Sequence, residues 1–281
     1  MSKDEIQALR SIASWLKERT GLYYPDRKLD TLKHKLFKVC LDQRMTIEEI
    51  AAALSSRNGA SVSQLALKVA AAASTNHTAF FREDVWGFFR EVLAQTLKEN
   101  SRVRIWSAAA SSGEEAYTIA ITAAELLGLE SLQARVAVLG TDISFQVLKQ
   151  AEDGVYPAER LEGMDPSLKR RYFSELSDSV VKGALRVREP LRRICLFRRM
   201  NLKKRPYPFK HRFHIVFCRN VLYYFTPTER EKIVNEIHRV TEDGGYLFVS
   251  VTECLTGMTT PWRRVPGRTG VYRKTGRGAN S

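Results

Sequence analysis

From about residue 100 the chain alternates short apolar runs with helical segments, and this restricts it to a narrow set of folds. Residues 103–108 form a run of strand-forming side chains, and Ser111-Ser112-Gly113 makes a turn. Glu114 opens a helix whose face is Tyr117, Ile119, Ala120, Ala123, Ala124 and Leu127, closed by Gly128. A second strand is expected over 136–140 and a second helix over 144–153, with Gly154 behind it. Residues 213–218 and 246–251 read as further strands, separated by a helix over 228–240. Strands joined through helices pair in parallel, here in a doubly wound α/β sheet. Such sheets bind ligands beyond the carboxyl ends of their strands.

The first 72 residues follow a different grammar. Ile6, Leu9, Ile12, Ala13 and Leu16 recur at helical spacing, as do Leu32, Leu36, Val39 and Cys40. Thr46 followed by Glu49 is a capping-box pattern, with Ile47, Ile50, Ala51 and Leu54 as the apolar face. The stretch 55–59 breaks the pattern, and Leu65, Ala66, Val69 and Ala73 start another helix. An all-helical domain over 1–72 is therefore expected, ahead of a sheet domain over 73–281. Between 155 and 202 the strand–helix alternation lapses. Leu185-Arg186-Val187-Arg188 and Ile194-Cys195-Leu196-Phe197 read there as short strands, expected in a small antiparallel insert at about 160–200.

Lys and Arg outnumber Asp and Glu by 45 to 31, a formal net charge of +14. The excess is uneven: residues 160–212 carry 16 basic side chains against 5 acidic, and residues 1–72 carry 12 against 8. Such a field attracts an acidic partner, and nucleic acid or an acidic protein surface would serve equally well. No apolar run approaches the roughly 20 residues that span a bilayer. Met1-Ser2-Lys3-Asp4-Glu5 does not open a signal peptide. Cys40, Cys195, Cys218 and Cys254 form no CxxC pair, which argues against a zinc site and a disulfide framework. A cytoplasmic, monomeric protein with no metal and no membrane insertion is expected.

Where a dinucleotide-binding sheet carries G-x-G-x-x-G, this chain has Ala108-Ala109-Ala110-Ser111-Ser112-Gly113-Glu114-Glu115. Small residues still allow close backbone approach, but two carboxylates at the helix start disfavour a pyrophosphate. They suit a ligand with cationic groups and no phosphate, such as S-adenosylmethionine with its sulfonium and ammonium. Complementing the helix dipole explains Glu114 and Glu115 equally well. Asp142, just past the second strand, can accept hydrogen bonds from the ribose hydroxyls of an adenosine, or can cap the helix that follows.

Five blocks, in order, resemble the CheR-type chemoreceptor glutamate O-methyltransferases over roughly residues 20 to 275. They are Thr75-Asn76-His77-Thr78-Ala79-Phe80-Phe81-Arg82-Glu83, the segment from Arg104 to Glu115, Thr141-Asp142-Ile143, Gly154-Val155-Tyr156, and the segment from Phe217 to Phe225. The resemblance implies a Rossmann-like methyltransferase sheet, S-adenosyl-L-methionine as methyl donor and S-adenosyl-L-homocysteine as product. The substrates it implies are glutamate side chains on the cytoplasmic helices of a methyl-accepting chemoreceptor, methylated in signalling adaptation. It implies that Asn76, Thr78 and Arg82 approach the cofactor's amino-acid part and methyl, that Glu115 holds the α-ammonium, and that Asp142 holds the ribose. Asn201 and Leu202 would flank the adenine, and Arg219 and Asn220 would close the pocket. Arg82 and Tyr224 would be catalytic, Arg82 orienting the carboxylate and Tyr224 lining the methyl channel. Lys35 and Lys38, on a basic helix, would face the substrate protein. Read as residues alone, Asn76 and Thr78 also suit helix caps, Arg82 a surface ion pair, Asn220 a turn, Tyr223 and Tyr224 a core, and the two lysines a solvated face.

Two departures from the family pattern stand out. Ser250 and Val251 replace a Gly-His pair ahead of Glu253, an expected change to the pocket floor. The insert has Ser177-Asp178-Ser179-Val180-Val181 where relatives that dock a receptor's C-terminal tether have a Gly-rich loop, so tether-independent recognition is expected. Two rival readings remain, a nucleic-acid methyltransferase on the same fold and an inactive cofactor-binding sensor. Against the first, the chain carries no RNA-binding module and no Asp/Asn-Pro-Pro-Tyr motif.

Overall fold

The computed structural model describes residues 1–56, 60–74, 79–82, 84–176 and 183–275. Four helices come first: α1 (Lys3–Arg19), α2 (Leu29–Gln43), α3 (Ile47–Ser55) and α4 (Ala60–Ser74). Their apolar faces meet in one core in which Leu9, Ile12, Leu16, Leu32, Leu36, Ile50 and Val69 are fully buried. Each such side chain contributes about 1.5–3 kcal/mol by leaving water. The capping box forms as the sequence predicts. The Thr46 amide donates to Glu49 Oε2 at 2.8 Å and the Glu49 amide to Thr46 Oγ1 at 3.2 Å.

Helix α5 (Trp86–Glu99) then leads into the sheet through β1 (Val103–Ser107), α6 (Glu114–Arg135), β2 (Val136–Asp142) and α7 (Phe145–Asp153). Gly128 breaks α6 with a φ of 73°, where the sequence expects a stop, and a second helical stretch runs on to Arg135. A small antiparallel sheet follows, built from β3 (Val155–Tyr156), β4 (Phe173–Glu175) and β5 (Leu185–Val187) in the order β3-β5-β4, with α8 (Pro166–Tyr172) between β3 and β4. The chain returns through α9 (Glu189–Ile194), β6 (Cys195–Arg199), β7 (Phe213–Phe217), α10 (Pro227–Arg239), β8 (Thr241–Phe248), β9 (Arg263–Arg264) and β10 (Val271–Arg273).

The main sheet has the order β6-β2-β1-β7-β8-β10-β9, parallel from β6 to β8 and antiparallel at β10 and β9. One sequence expectation fails here. The Ile194–Phe197 stretch does not join the antiparallel insert: β6 pairs in parallel with β2, Val138 opposite Cys195 through Asp142 opposite Arg199. A short alternating run fixes a strand but not its neighbour, which tertiary packing selects. The small sheet accordingly lies within 155–187 and does not extend to 200.

The sheet's order reverses between β1 and β7, so the crevice beyond their carboxyl ends is the expected ligand position. Under it the core is aromatic. Trp86 stacks on Phe217 with centroids 5.5 Å apart, and Phe217 on Phe248 at 4.7 Å. The helical unit is tied to this end of the sheet. Lys203, in the loop after β6, donates through Nζ to the Lys17 and Glu18 carbonyls at the end of α1, at 3.0 and 2.9 Å.

Candidate active site

A cleft enclosing about 860 Å³ out to its mouth opens beyond the ends of β1, β2, β6 and β7. Thr20 and Leu22, just after α1, form part of its wall. The turn after β1 forms the floor, with Ala108, Ala109 and Ser111 lining the cleft. Gly113 makes the turn possible. Its φ is 96°, and a Cβ there would lie 2.8 Å from the Ala151 Cβ and 2.9 Å from the Tyr156 hydroxyl.

The two neighbouring carboxylates at the start of α6 separate. Glu114 is fully buried and turned into the protein, where the Ser112 hydroxyl donates to it and Arg160 lies 3.7 Å away. Burial pushes its carboxyl above the ordinary range. Glu115 lines the cleft, accepting from Ser107 Oγ at 2.7 Å and Arg219 Nη1 at 3.2 Å. Asp142 lines it too, at the end of β2. The Ser111 and Ser144 amides each donate to one of its oxygens at 3.0 Å. The cap of α7 is Ser144, whose hydroxyl accepts from the Val147 amide, so capping does not account for Asp142. Burial raises the Asp142 carboxyl above its usual range despite those backbone bonds.

The loop after β7 closes the far wall. Arg219 is buried, with its guanidinium 5.6 Å from the Trp86 ring centre and Nη2 donating to the Arg82 carbonyl at 3.0 Å. Asn220 adopts a left-handed φ of 57°. That conformation is held by Glu253, whose two oxygens accept from the Asn220 amide at 2.6 Å and the Tyr223 amide at 3.1 Å. Asn201 and Leu202, after β6, also face the cleft, as do the exposed Arg82 and the nearly buried Tyr224.

Of the residues singled out from the sequence, Arg82, Glu115, Asp142, Asn201, Leu202, Arg219, Asn220 and Tyr224 therefore converge on one cleft. Asn76 and Thr78 lie outside the described residues. Lys35 and Lys38 part company: Lys38 is exposed, whereas Lys35 is half-buried and donates to the Tyr224 hydroxyl at 2.8 Å. Lys35 borders the buried stripe of Leu32, Leu36 and Val39, so the two lysines do not form one solvated face. The Ser250-Val251 departure lies behind the cleft rather than in its lining, with the Ser250 carbonyl accepting from the Glu253 amide at 2.8 Å. Ser250 is buried, Val251 points to solvent, and neither lines the cleft.

The donor set fits a cation-bearing nucleoside. One carboxylate can meet an ammonium and the other a pair of hydroxyls, whereas a pyrophosphate in the same place would face Glu115. Residues 76–271 match the family model described as CheR methyltransferase, SAM binding domain. The chain belongs to the CheR methyltransferase family. It is therefore a methyltransferase, and S-adenosylmethionine is its cofactor. A chemotaxis protein methyltransferase of Vibrio parahaemolyticus is 31% identical over 275 residues, covering 95% of this chain and 96% of the relative. One from Escherichia coli is 31% identical over 245 residues, covering 87% and 83%. One from Borreliella burgdorferi is 36% identical over 191 residues, covering 66% of each chain.

Sequence reasoning gave no site role to one residue that shapes this CheR-family cleft. Glu253 comes 33 positions after Asn220 and reaches it only through the fold. Its survival beside the altered Ser250-Val251 pair was the one available signal.

Proposed function

We propose that this CheR-family protein transfers the methyl group of S-adenosylmethionine to glutamate side chains of methyl-accepting chemoreceptors, forming methyl esters that set signalling adaptation. The observation that carries this reading is the cleft itself, in which Glu115 and Asp142 lie at the base with Arg82 and Tyr224 on the wall. Glu115 would hold the cofactor's α-ammonium and Asp142 its ribose hydroxyls. Asn201 and Leu202 would flank the adenine, Arg219 and Asn220 would close the pocket, and Asn76 and Thr78 would approach the amino-acid part. Residues 73–281 would form the catalytic domain, and the helical domain over 1–72 would carry the substrate-facing Lys38.

Bound cofactor supplies an electrophilic methyl on a sulfonium. A glutamate γ-carboxylate, with an ordinary pKa of about 4.3, is already ionised at neutral pH and attacks without a general base. The protein's work is then alignment and exclusion of water. In this reading Arg82 orients the incoming carboxylate through its guanidinium, and Tyr224 shapes the channel. Arg82→Ala should lower turnover by about tenfold or more, as expected for loss of an oriented charged donor at the reacting group. Full turnover with normal cofactor affinity would remove Arg82 from that role.

The test of the whole reading is tritiated-methyl transfer to receptor-enriched membranes, followed by alkaline treatment. Methyl esters release methanol in base, whereas N-methyl groups on protein or nucleic acid do not. Recognition is proposed to run through the basic surface without a receptor tether. Tail-deleted receptors should therefore be methylated as well as intact ones, and tail-dependent binding in a pulldown would reject this. Among the described residues no helix is long and apolar enough to cross a membrane, so the protein would reach the receptor's cytoplasmic helices from solution.

A further inference from the structure

The strand–helix alternation has one gap. The connections from β1 to β2 and from β2 to β6 both step toward the β6 edge, so right-handed crossovers put them on one face of the main sheet. Cys195 points to that face and meets the Ala116 carbonyl of α6. The return from β6 to β7 crosses the other face, where α10 also packs. Residues 200–212 make that return without a helix. Tyr207 and Phe209 in this loop pack on Trp106, with ring centres 5.5 and 4.9 Å away. Trp106, Leu139 and Leu196 are register neighbours on β1, β2 and β6 and share this face. The cover stops short of the last of them. Leu196, on the edge strand, is 49% exposed.

A groove enclosing about 920 Å³ out to its mouth remains, with Leu139, Leu196 and Phe209 among its lining. Arg102, Arg104, Arg193, Lys210 and His211 also line it, and no acidic side chain does. Arg104 and Arg193 are already paired, with Glu242 and Glu189. Arg102 and Lys210 are exposed and form no ion pair among the described residues. The groove begins at the amino ends of β1, β2 and β7, where Arg102, Val136 and Phe213 line it, at the opposite end of the sheet from the cleft.

We propose that this groove is a docking site for an acidic amphipathic helix of a partner protein, seated where the fold omits a crossover helix of its own. The apolar stripe of that helix covers Leu139, Leu196 and Phe209, and its carboxylates meet Arg102 and Lys210. The lining selects against other occupants. A nucleic acid offers phosphates to the cations but nothing to the leucines. A bilayer surface is too broad to enter a recess between a loop and a sheet. Because the groove and the cleft lie at opposite ends of the strands, the partner is held without closing the cleft.

The test uses the full chain and a fluorescein-labelled synthetic helical peptide, with leucines at i, i+3, i+4 and i+7 and glutamates on its other face. A peptide of the same composition with scattered leucines is the control. In fluorescence anisotropy the amphipathic peptide should bind at least about tenfold more tightly than the control. Leu196→Asp should weaken it by about tenfold or more, the fold-change of losing one leucine's burial. Melting curves and unchanged S-adenosylhomocysteine affinity check that this half-exposed position tolerates the change. Arg102→Glu together with Lys210→Glu should weaken binding similarly and remove most of its salt dependence. The proposal is overturned if the two peptides bind alike, if Leu196→Asp binds as tightly as wild type, or if the charge reversals change nothing. Sedimentation velocity and competition by anionic phospholipid vesicles or duplex RNA test the other occupants. A dimer dispersed by Leu196→Asp would give the groove to a second copy of this chain. Vesicles or RNA that bind more tightly than the peptide, and through Leu196, would give it to those, and each of these results overturns the proposal. Should Leu196→Asp not fold, the charge-reversed pair decides by itself.

Discussion

Asp142 is held between two opposing influences. The Ser111 and Ser144 amides favour its charged form, while the protein around it favours the neutral one, and the second prevails. A ribose hydroxyl donates its hydrogen, so the proposed complex needs the ionised carboxylate. Cofactor affinity should therefore rise with pH through the raised Asp142 titration and level off above it. Calorimetry with S-adenosylhomocysteine between acid and neutral pH measures this directly. Asp142→Asn should remove that slope and weaken binding near neutrality by about 1–3 kcal/mol, the worth of a charged hydrogen-bond pair. An unchanged slope in Asp142→Asn would assign the pH dependence elsewhere. The neighbouring pair Glu114 and Glu115 shows why such residues mislead at the level of sequence: one position along a helix start is enough to place one carboxylate in the core and the other in the cleft.

Among the secondary-structure elements, those with strong local signals were the legible ones. The capping box at α3 needed only Thr46 and Glu49, and both bonds form. Thr46→Ala should cost about 0.5–2 kcal/mol of stability in a urea titration, since it removes a helix cap, and should leave cofactor affinity unchanged. The turn between β1 and α6 was legible through its small residues, and the structure shows what each must avoid. Gly113→Ala would force a side chain into the left-handed region against Ala151 and Tyr156, costing about 1–3 kcal/mol. It should also weaken cofactor binding, because the same turn carries Ser111 to Asp142. A stable Gly113→Ala protein with normal affinity would show that the turn tolerates another path. What was not legible depended on distance along the chain. Strand β6 looked like a partner for β5 because both alternate, yet its neighbour is β2, more than 50 residues earlier. Glu253 and the contact of Lys35 with Tyr224 were hidden for the same reason, as each reaches the loop after β7 only through the fold. The turn after β1 and Asp142 after β2 were readable because strand ends are where a doubly wound sheet presents its loops, whereas Asn201, Leu202, Arg219 and Asn220 came only through the family resemblance.

For the molecule as a whole, the division between a carboxylate-lined cleft and a basic exterior separates two kinds of binding. The formal charge of +14 is carried by the segments 160–212 and 1–72, while Glu115 and Asp142 face inward beside ordered polar partners. Surface charge steers an acidic protein over distances comparable to the Debye length, about 10 Å at 0.1 M salt, and can raise association rates by roughly 10- to 1,000-fold. Charges at the base of a cleft are screened far less. Raising salt should therefore increase the KM for receptor steeply while leaving cofactor affinity nearly constant. Lys38→Glu, exposed on α2, should mimic high salt by raising KM with kcat unchanged. Steady-state methyl transfer at several salt concentrations, beside cofactor calorimetry in the same buffers, separates the two responses. If receptor KM were indifferent to salt and to Lys38→Glu, the basic surface would have no part in recognition. Apolar contacts, such as the exposed Phe37 and Leu41 on the same helix, would then have to carry it.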